Sequence, residues 1–127
     1  MTYNGFEYNE HGVCINPDIP YTSESLLKKD YFEINVSETT GGWICGWSWV
    51  VFYSDDGRPR LTGGRCPCSP TLNTVHKTRS EAIINAATVI RKGFVARNKH
   101  KAVAELDRII SEESKPKIRQ MTIFDYL

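Results

Sequence analysis

The sequence predicts an α+β fold: a small antiparallel β-meander of three to four strands packed by two C-terminal helices, with an irregular N-terminal arm and a flexible C-terminal tail. Three observations carry that expectation. From Asp30 to Tyr53 apolar and aromatic residues recur at every second position, the period of a half-buried strand. From Thr78 to Ser111 the spacing changes to that of amphipathic helices. The length of 127 residues, with 40% apolar and 24% charged residues, suits one globular domain rather than a disordered chain.

Residues 1–29 hold Gly5, Gly12, Pro17 and Pro20 among scattered aromatics, so an irregular arm is expected, with a turn at Asn16–Pro17–Asp18 and a short helical turn near Ser23–Leu27. Phe32, Ile34 and Val36 then mark one face of a first strand, which Thr39–Gly42 closes. In the next strand Trp43, Cys45, Trp47, Trp49, Val51 and Tyr53 share one face; Ile44, Gly46, Ser48, Val50 and Phe52 share the other. Ser54–Gly57 supplies hairpin chemistry, and a third strand is expected around Arg60–Thr62. Gly63–Asn73 reads as a loop and Asn73–Lys77 as a short fourth strand.

Thr78–Arg79–Ser80–Glu81 matches a capping box, in which a cap hydroxyl and a carboxylate three residues later satisfy orphan backbone donors. Ile83, Ala86, Ala87, Ile90 and Phe94 follow as one apolar stripe, with Gly93 expected to weaken or end the helix. Val103, Leu106, Ile109 and Ile110 define a second helix from about Asn98 to Ser111. The expected division is an arm at 1–29, the α+β domain at 30–111, a linker at 112–119 and a peptide motif at 120–127.

The net charge of +1 hides an asymmetry. Residues 1–40 carry seven carboxylates against two lysines; residues 41–127 carry 14 Lys and Arg against eight carboxylates. Such a division marks either a surface for nucleic acid or another charged partner, or an acidic segment lying on the basic part of its own fold. The densest basic stretch contains Arg91, Lys92, Arg97, Lys99 and Lys101, with His100, at the expected helix junction. These side chains suit phosphate contacts, and those at a helix C-terminus also complement its dipole. The tryptophan face would serve either as core or, if exposed, as a base-stacking platform.

No apolar run approaches the roughly 20 residues needed to cross a bilayer. The first residues show neither the basic start nor the apolar stretch of a secretory signal. A cytoplasmic, reducing compartment is therefore expected, with cysteines as thiols or metal ligands. His11, Cys14, Cys66 and Cys68 form a candidate zinc set, with Cys45 and His76 as alternative members, although paired knuckle spacing is absent. Apart from that candidate zinc, no cofactor is expected. No phosphate-binding loop or acid–base carboxylate pair emerges, so a non-enzymatic role is expected.

After the polar stretch Ser111–Arg119, which contains Pro116, the chain turns apolar again: Gln120-Met121-Thr122-Ile123-Phe124-Asp125-Tyr126-Leu127. Such a cluster either folds back onto its own domain or binds another protein. Gln120 followed by Ile123–Phe124 resembles the motif by which bacterial polymerases, repair proteins and phage or plasmid proteins dock on the bacterial sliding clamp, usually Gln-Leu-x-Leu-Phe. The resemblance implies that Gln120 hydrogen-bonds at the mouth of the clamp's pocket. Met121, standing for Leu, would pack along its channel, and Ile123 and Phe124 would fill its deep apolar subsite. Met121 and Ile123 both depart from Leu, as swaps of similar volume. Read differently, Gln120, Ile123 and Tyr126–Leu127 look like a degenerate form of the peptide that binds the eukaryotic and archaeal clamp.

The expected function is thus an accessory or regulatory protein of DNA replication or repair, from a bacterium, phage or mobile element, docking on the clamp. Two alternatives stand beside it. One is a small nucleic-acid-binding module using the basic junction 91–101. The other is a phage-type inhibitor that meets a host protein through the acidic arm.

Overall fold

The computed structural model describes residues 1–23, 31–52, 59–66, 68–69, 74–96 and 98–115. In chain order the elements are β1 (Thr2–Tyr3), β2 (Phe6–Glu7), β3 (Asp18–Thr22), β4 (Tyr31–Thr39), β5 (Gly42–Phe52), β6 (Pro59–Cys66), α1 (Arg79–Val95) and α2 (His100–Ser114). β3–β4–β5–β6 form one antiparallel sheet in sequence order, and β1–β2 a separate two-stranded one. The α+β architecture expected from the periodicity is the one observed.

β4 shows why the period of two is informative and where it stops. Phe32, Ile34 and Val36 are fully buried on the helix side, while Tyr31, Glu33 and Asn35 on the other face are half-exposed. At Ser37 the alternation breaks, because the outer face is covered there as well. The cover is the N-terminal segment: the Tyr8 hydroxyl lies 3.1 Å from Ser37 Oγ and donates to the Glu38 carbonyl. Burial raises the Tyr8 pKa. Phe6, Tyr8, Cys14, Ile44 and Cys68 form a second apolar cluster on this outer face, with Trp43 edge-on to Phe6.

Residues 1–23 are therefore not an irregular arm. Asn4 and Gly5 take positive φ (46° and 88°) and turn β1 into β2. Further on, β3 adds an edge strand to the main sheet through Asp18↔Val36, Tyr21↔Ile34 and Thr22↔Glu33. A bulge lies between Asp18 and Tyr21, where Pro20 has no N–H to offer. The end of β3 is tied down by Ser23, fully buried, whose Oγ accepts from the Phe32 amide at 2.7 Å. The expected helical turn at Ser23–Leu27 and the hairpin at Ser54–Gly57 fall largely or wholly outside the described residues.

β4 and β5 join through Thr40–Gly41, with Thr39 opposite Gly42. Gly42 has φ +138°, and a Cβ there would lie 2.3 Å from the His76 carbonyl oxygen, so this position accepts no side chain. That close approach lets Trp43 and His76 exchange two backbone hydrogen bonds of 2.7 Å. Of the fourth strand expected at Asn73–Lys77, the described residues 74–77 form this single bridge. The third strand runs longer than expected, through Gly63–Cys66.

α1 packs on β4 and β5, and α2 on α1. Ala82, Ile83, Ala86, Ala87, Ile90 and Phe94 bury their side chains against Phe32, Ile34, Val36, Cys45 and Trp49; α2 adds Ala102, Leu106 and Ile109. Alanines at the contact allow close approach of helix to sheet. α1 starts as the sequence says: Thr78 Oγ1 accepts from the Glu81 amide at 3.1 Å. Glu81 reaches back to the Lys77 amide, one residue earlier than the usual box. Gly93 does not end the helix. The Trp49 indole lies over it, and a Cβ there would meet Cη2 at 2.9 Å. α2 also outlasts its expected end. Residues 112–114, assigned to the linker by composition, are helical, and Lys115 is the first extended residue (ψ 133°), because Pro116 disfavours helical backbone in the residue before it.

Candidate functional site

Gln120, Met121, Ile123 and Phe124, the residues that would enter a clamp, lie outside the described residues. The point from which the chain leaves α2 is described. Glu113, in the last turn, accepts from the Tyr21 hydroxyl at 2.5 Å through Oε2 and from the Ser80 hydroxyl at 2.9 Å through Oε1. One carboxylate thus joins the β3 edge, the first turn of α1 and the end of α2. The Tyr21 pKa is pushed up to about 12, chiefly by burial and then by its bond to Glu113 and that group's charge. Beside this junction Thr78, Arg79, Ser80, Glu113 and Lys115 line a cavity of about 300 Å³.

The basic stretch is divided by its environment. Arg91 lies on the α1–α2 seam, its Nε 2.6 Å from Asp107 Oδ1, so it braces the two helices. Lys92, Lys99 and Lys101 gather at the far end of the helical hairpin. Ala96, Asn98 and Lys99 close the turn through bonds to Lys92, Val95 and Phe94 carbonyls, and Asn98 takes the left-handed conformation (φ 56°) that Asn tolerates. Lys92, His100 and Lys101 are exposed and Lys99 half-buried; Arg97 lies outside the described residues. Neither Lys92 nor Lys101 has an ion-pair partner among the described residues.

The helix dipole accounts for Lys92, in the last turn of α1. It works against the rest. Lys99 is the N-cap of α2 without a side-chain cap bond, His100 and Lys101 open its first turn, and that turn has no acidic residue. Cations at a helix N-terminus are disfavoured by about 0.3–1 kcal/mol each at low salt. The sequence already places these residues there, since the helix expected from about Asn98 opens with Lys99, His100 and Lys101.

Two members of the candidate zinc set are neighbours. Cys14 and Cys68 lie in the same buried cluster, and the Cys14 amide donates to the Cys68 carbonyl at 2.9 Å. The Cys14 thiol is 3.5 Å from Asn16 Oδ1. His11 is exposed, with Nε2 3.4 Å from Glu10, and Cys66 ends β6 opposite Trp47. Among the described residues no three His, Cys, Asp or Glu side chains cluster as a metal site would require. Cys45, buried on the helix face, accepts from Asn85 Nδ2 at 3.5 Å.

Trp49 is core: 8% exposed, with its ring centroid 5.9 Å from that of Phe94. It offers no surface for bases. Among the described N-terminal acids, Glu7, Glu10 and Asp18 are exposed on a folded segment, and Glu38 accepts from Asn4 at 2.8 Å. No described helix is long and apolar enough to cross a membrane. No family model, curated protein or solved structure matches the chain.

Proposed function

We propose that this chain is a non-enzymatic accessory or regulatory protein of DNA replication or repair, of bacterial, phage or mobile-element origin, that docks on the sliding clamp through Gln120–Phe124. The observation that carries the reading is the motif itself, Gln120-Met121-Thr122-Ile123-Phe124, after a polar segment containing Pro116. The end of α2 at Ser114 supports it, since five residues, 115–119, then separate the last helical turn from Gln120. Fully extended, that stretch spans roughly 17 Å. A few apolar anchors entering a preformed pocket, offset by the ordering of the segment around them, suit a micromolar complex.

The test is calorimetric titration of the full chain into purified bacterial clamp, beside Phe124→Ala and a synthetic Lys117–Leu127 peptide. Micromolar binding by chain and peptide, lost in Phe124→Ala, is the expected result. Absence of binding by the wild-type chain would sink the proposal, and binding only to a eukaryotic or archaeal clamp would replace it with the other clamp peptide.

A further inference from the structure

We infer that Cys14 and Cys68 are a redox pair that closes into an intramolecular disulfide under hydrogen peroxide, tying the N-terminal segment to the chain beyond β6. Three observations converge. First, the Cys14 amide donates to the Cys68 carbonyl at 2.9 Å. A backbone bond of that kind sets the two Cα atoms about 5–6 Å apart, within the roughly 4.4–6.8 Å that a disulfide spans. Second, both side chains are thiols buried in the same cluster, with Phe6, Tyr8 and Ile44. Cys45 belongs to the other cluster, between sheet and helices. Third, both sulfur atoms lie near the Tyr8 hydroxyl: burial is the main cause of its raised pKa, and the charges of Cys14 and Cys68 each add to the rise.

The step is a two-electron oxidation. One thiolate attacks a peroxide oxygen, the O–O bond breaks, and a sulfenic acid forms as the first water leaves. The second sulfur then attacks the sulfenic sulfur, the S–O bond breaks and a second water leaves. Two thiols and one hydrogen peroxide thus give one disulfide and two waters, the thiol protons ending in the water. Exposures of 6% for Cys14 and 4% for Cys68 suit a small oxidant of this kind better than a bulky disulfide donor. The link joins positions 14 and 68, and a closed loop of that length restricts the unfolded chain strongly. It also fastens a lightly built part of the fold, since β1 and β2, which cover the outer sheet face, have two residues each. The pair is independent of Gln120–Phe124 and of any clamp.

The experiment treats the folded full chain with hydrogen peroxide, blocks the remaining thiols with N-ethylmaleimide in denaturant and maps the tryptic peptides by mass spectrometry. The expected product is a single chain lighter by two hydrogens, in which the peptide ending at Lys28 is joined to the one spanning 66–77. Dithiothreitol should separate them. Because the second peptide holds both Cys66 and Cys68, variants assign the bond: it should persist in Cys66→Ser and vanish in Cys68→Ser and in Cys14→Ser. In wild type the link should raise the thermal midpoint by about 10 °C, reversed by the reductant. Thermal unfolding of the reduced variants separates a lost partner from a lost fold, and Cys66→Ser still judges the pair if another variant does not fold. The inference is overturned if folded wild type leaves the two sulfurs unlinked, if Cys14 joins Cys66 or Cys45 instead, if only links between chains form, or if the linked protein is no more stable than the reduced one.

Discussion

Gly93 illustrates how a residue read as a helix breaker acts as a packing device. A lone glycine costs a helix about 1 kcal/mol relative to alanine, which makes it look like an end signal in sequence. In the fold it leaves room for the Trp49 indole, whose Cη2 would be 2.9 Å from any added Cβ. Gly93→Ala therefore sets a helix-propensity gain against a clash with a buried ring. The clash should win, because Trp49 is buried in the close-packed core and also packs against Phe94. A net loss of about 1–3 kcal/mol in urea unfolding is expected, with a changed tryptophan emission in the folded state. A stability equal to or above wild type would show that the ring yields. Ser23 was equally opaque in sequence, as a small polar residue in an irregular stretch. Its value lies in answering the buried Phe32 amide, a partner nine positions away.

At the scale of elements, legibility followed the strength of the local signal. The core face of β4, the tryptophan face of β5 and the start of α1 could all be read, because each buries one face against a single layer or carries a cap. Thr78→Ala should cost about 1 kcal/mol in a denaturant titration, since it removes the acceptor for the Glu81 amide; no change would mean that solvent replaces it without loss. β3 escaped notice because Pro20 and a bulge erase its alternation over five residues. The β1–β2 turn did carry a signal, Asn4–Gly5, the favoured pair for a two-residue hairpin. Its strands are two residues each, too short for any period to show. The outer-face cover that buries Ser37 depends on Tyr8 arriving from 29 positions away, which no local pattern encodes. The candidate residues were similarly uneven: the basic run and its place at the start of the second helix were plain in sequence, but the bond from Arg91 to Asp107 across the two helices was not.

For the whole molecule, the junction of Tyr21, Ser80 and Glu113 joins three elements that are distant in sequence, and it is sensitive to alkali. The Tyr21 phenol titrates at about 12 in the fold against an ordinary 10.0, chiefly because it is buried and then because Glu113 holds its proton. A raised pKa favours the protonated, folded state. Its contribution is complete below pH 10 and fades as pH rises through about 12. The stability difference between wild type and Tyr21→Phe should therefore be constant from neutral pH to about 10 and shrink from there towards 12. Urea unfolding of the two proteins along that series measures it. A difference that stays flat throughout would mean that folding does not raise the Tyr21 pKa.

The same carboxylate decides how the molecule bears mechanical load. Tension applied to the chain beyond Lys115 enters through the final turn of α2, where Glu113 grips Tyr21 on the outermost strand and Ser80 on the neighbouring helix. The strain is therefore shared by two elements before α2 can peel from its seam. Glu113→Gln keeps the size but weakens that fastening, so under force spectroscopy its helix should detach at lower tension than in wild type.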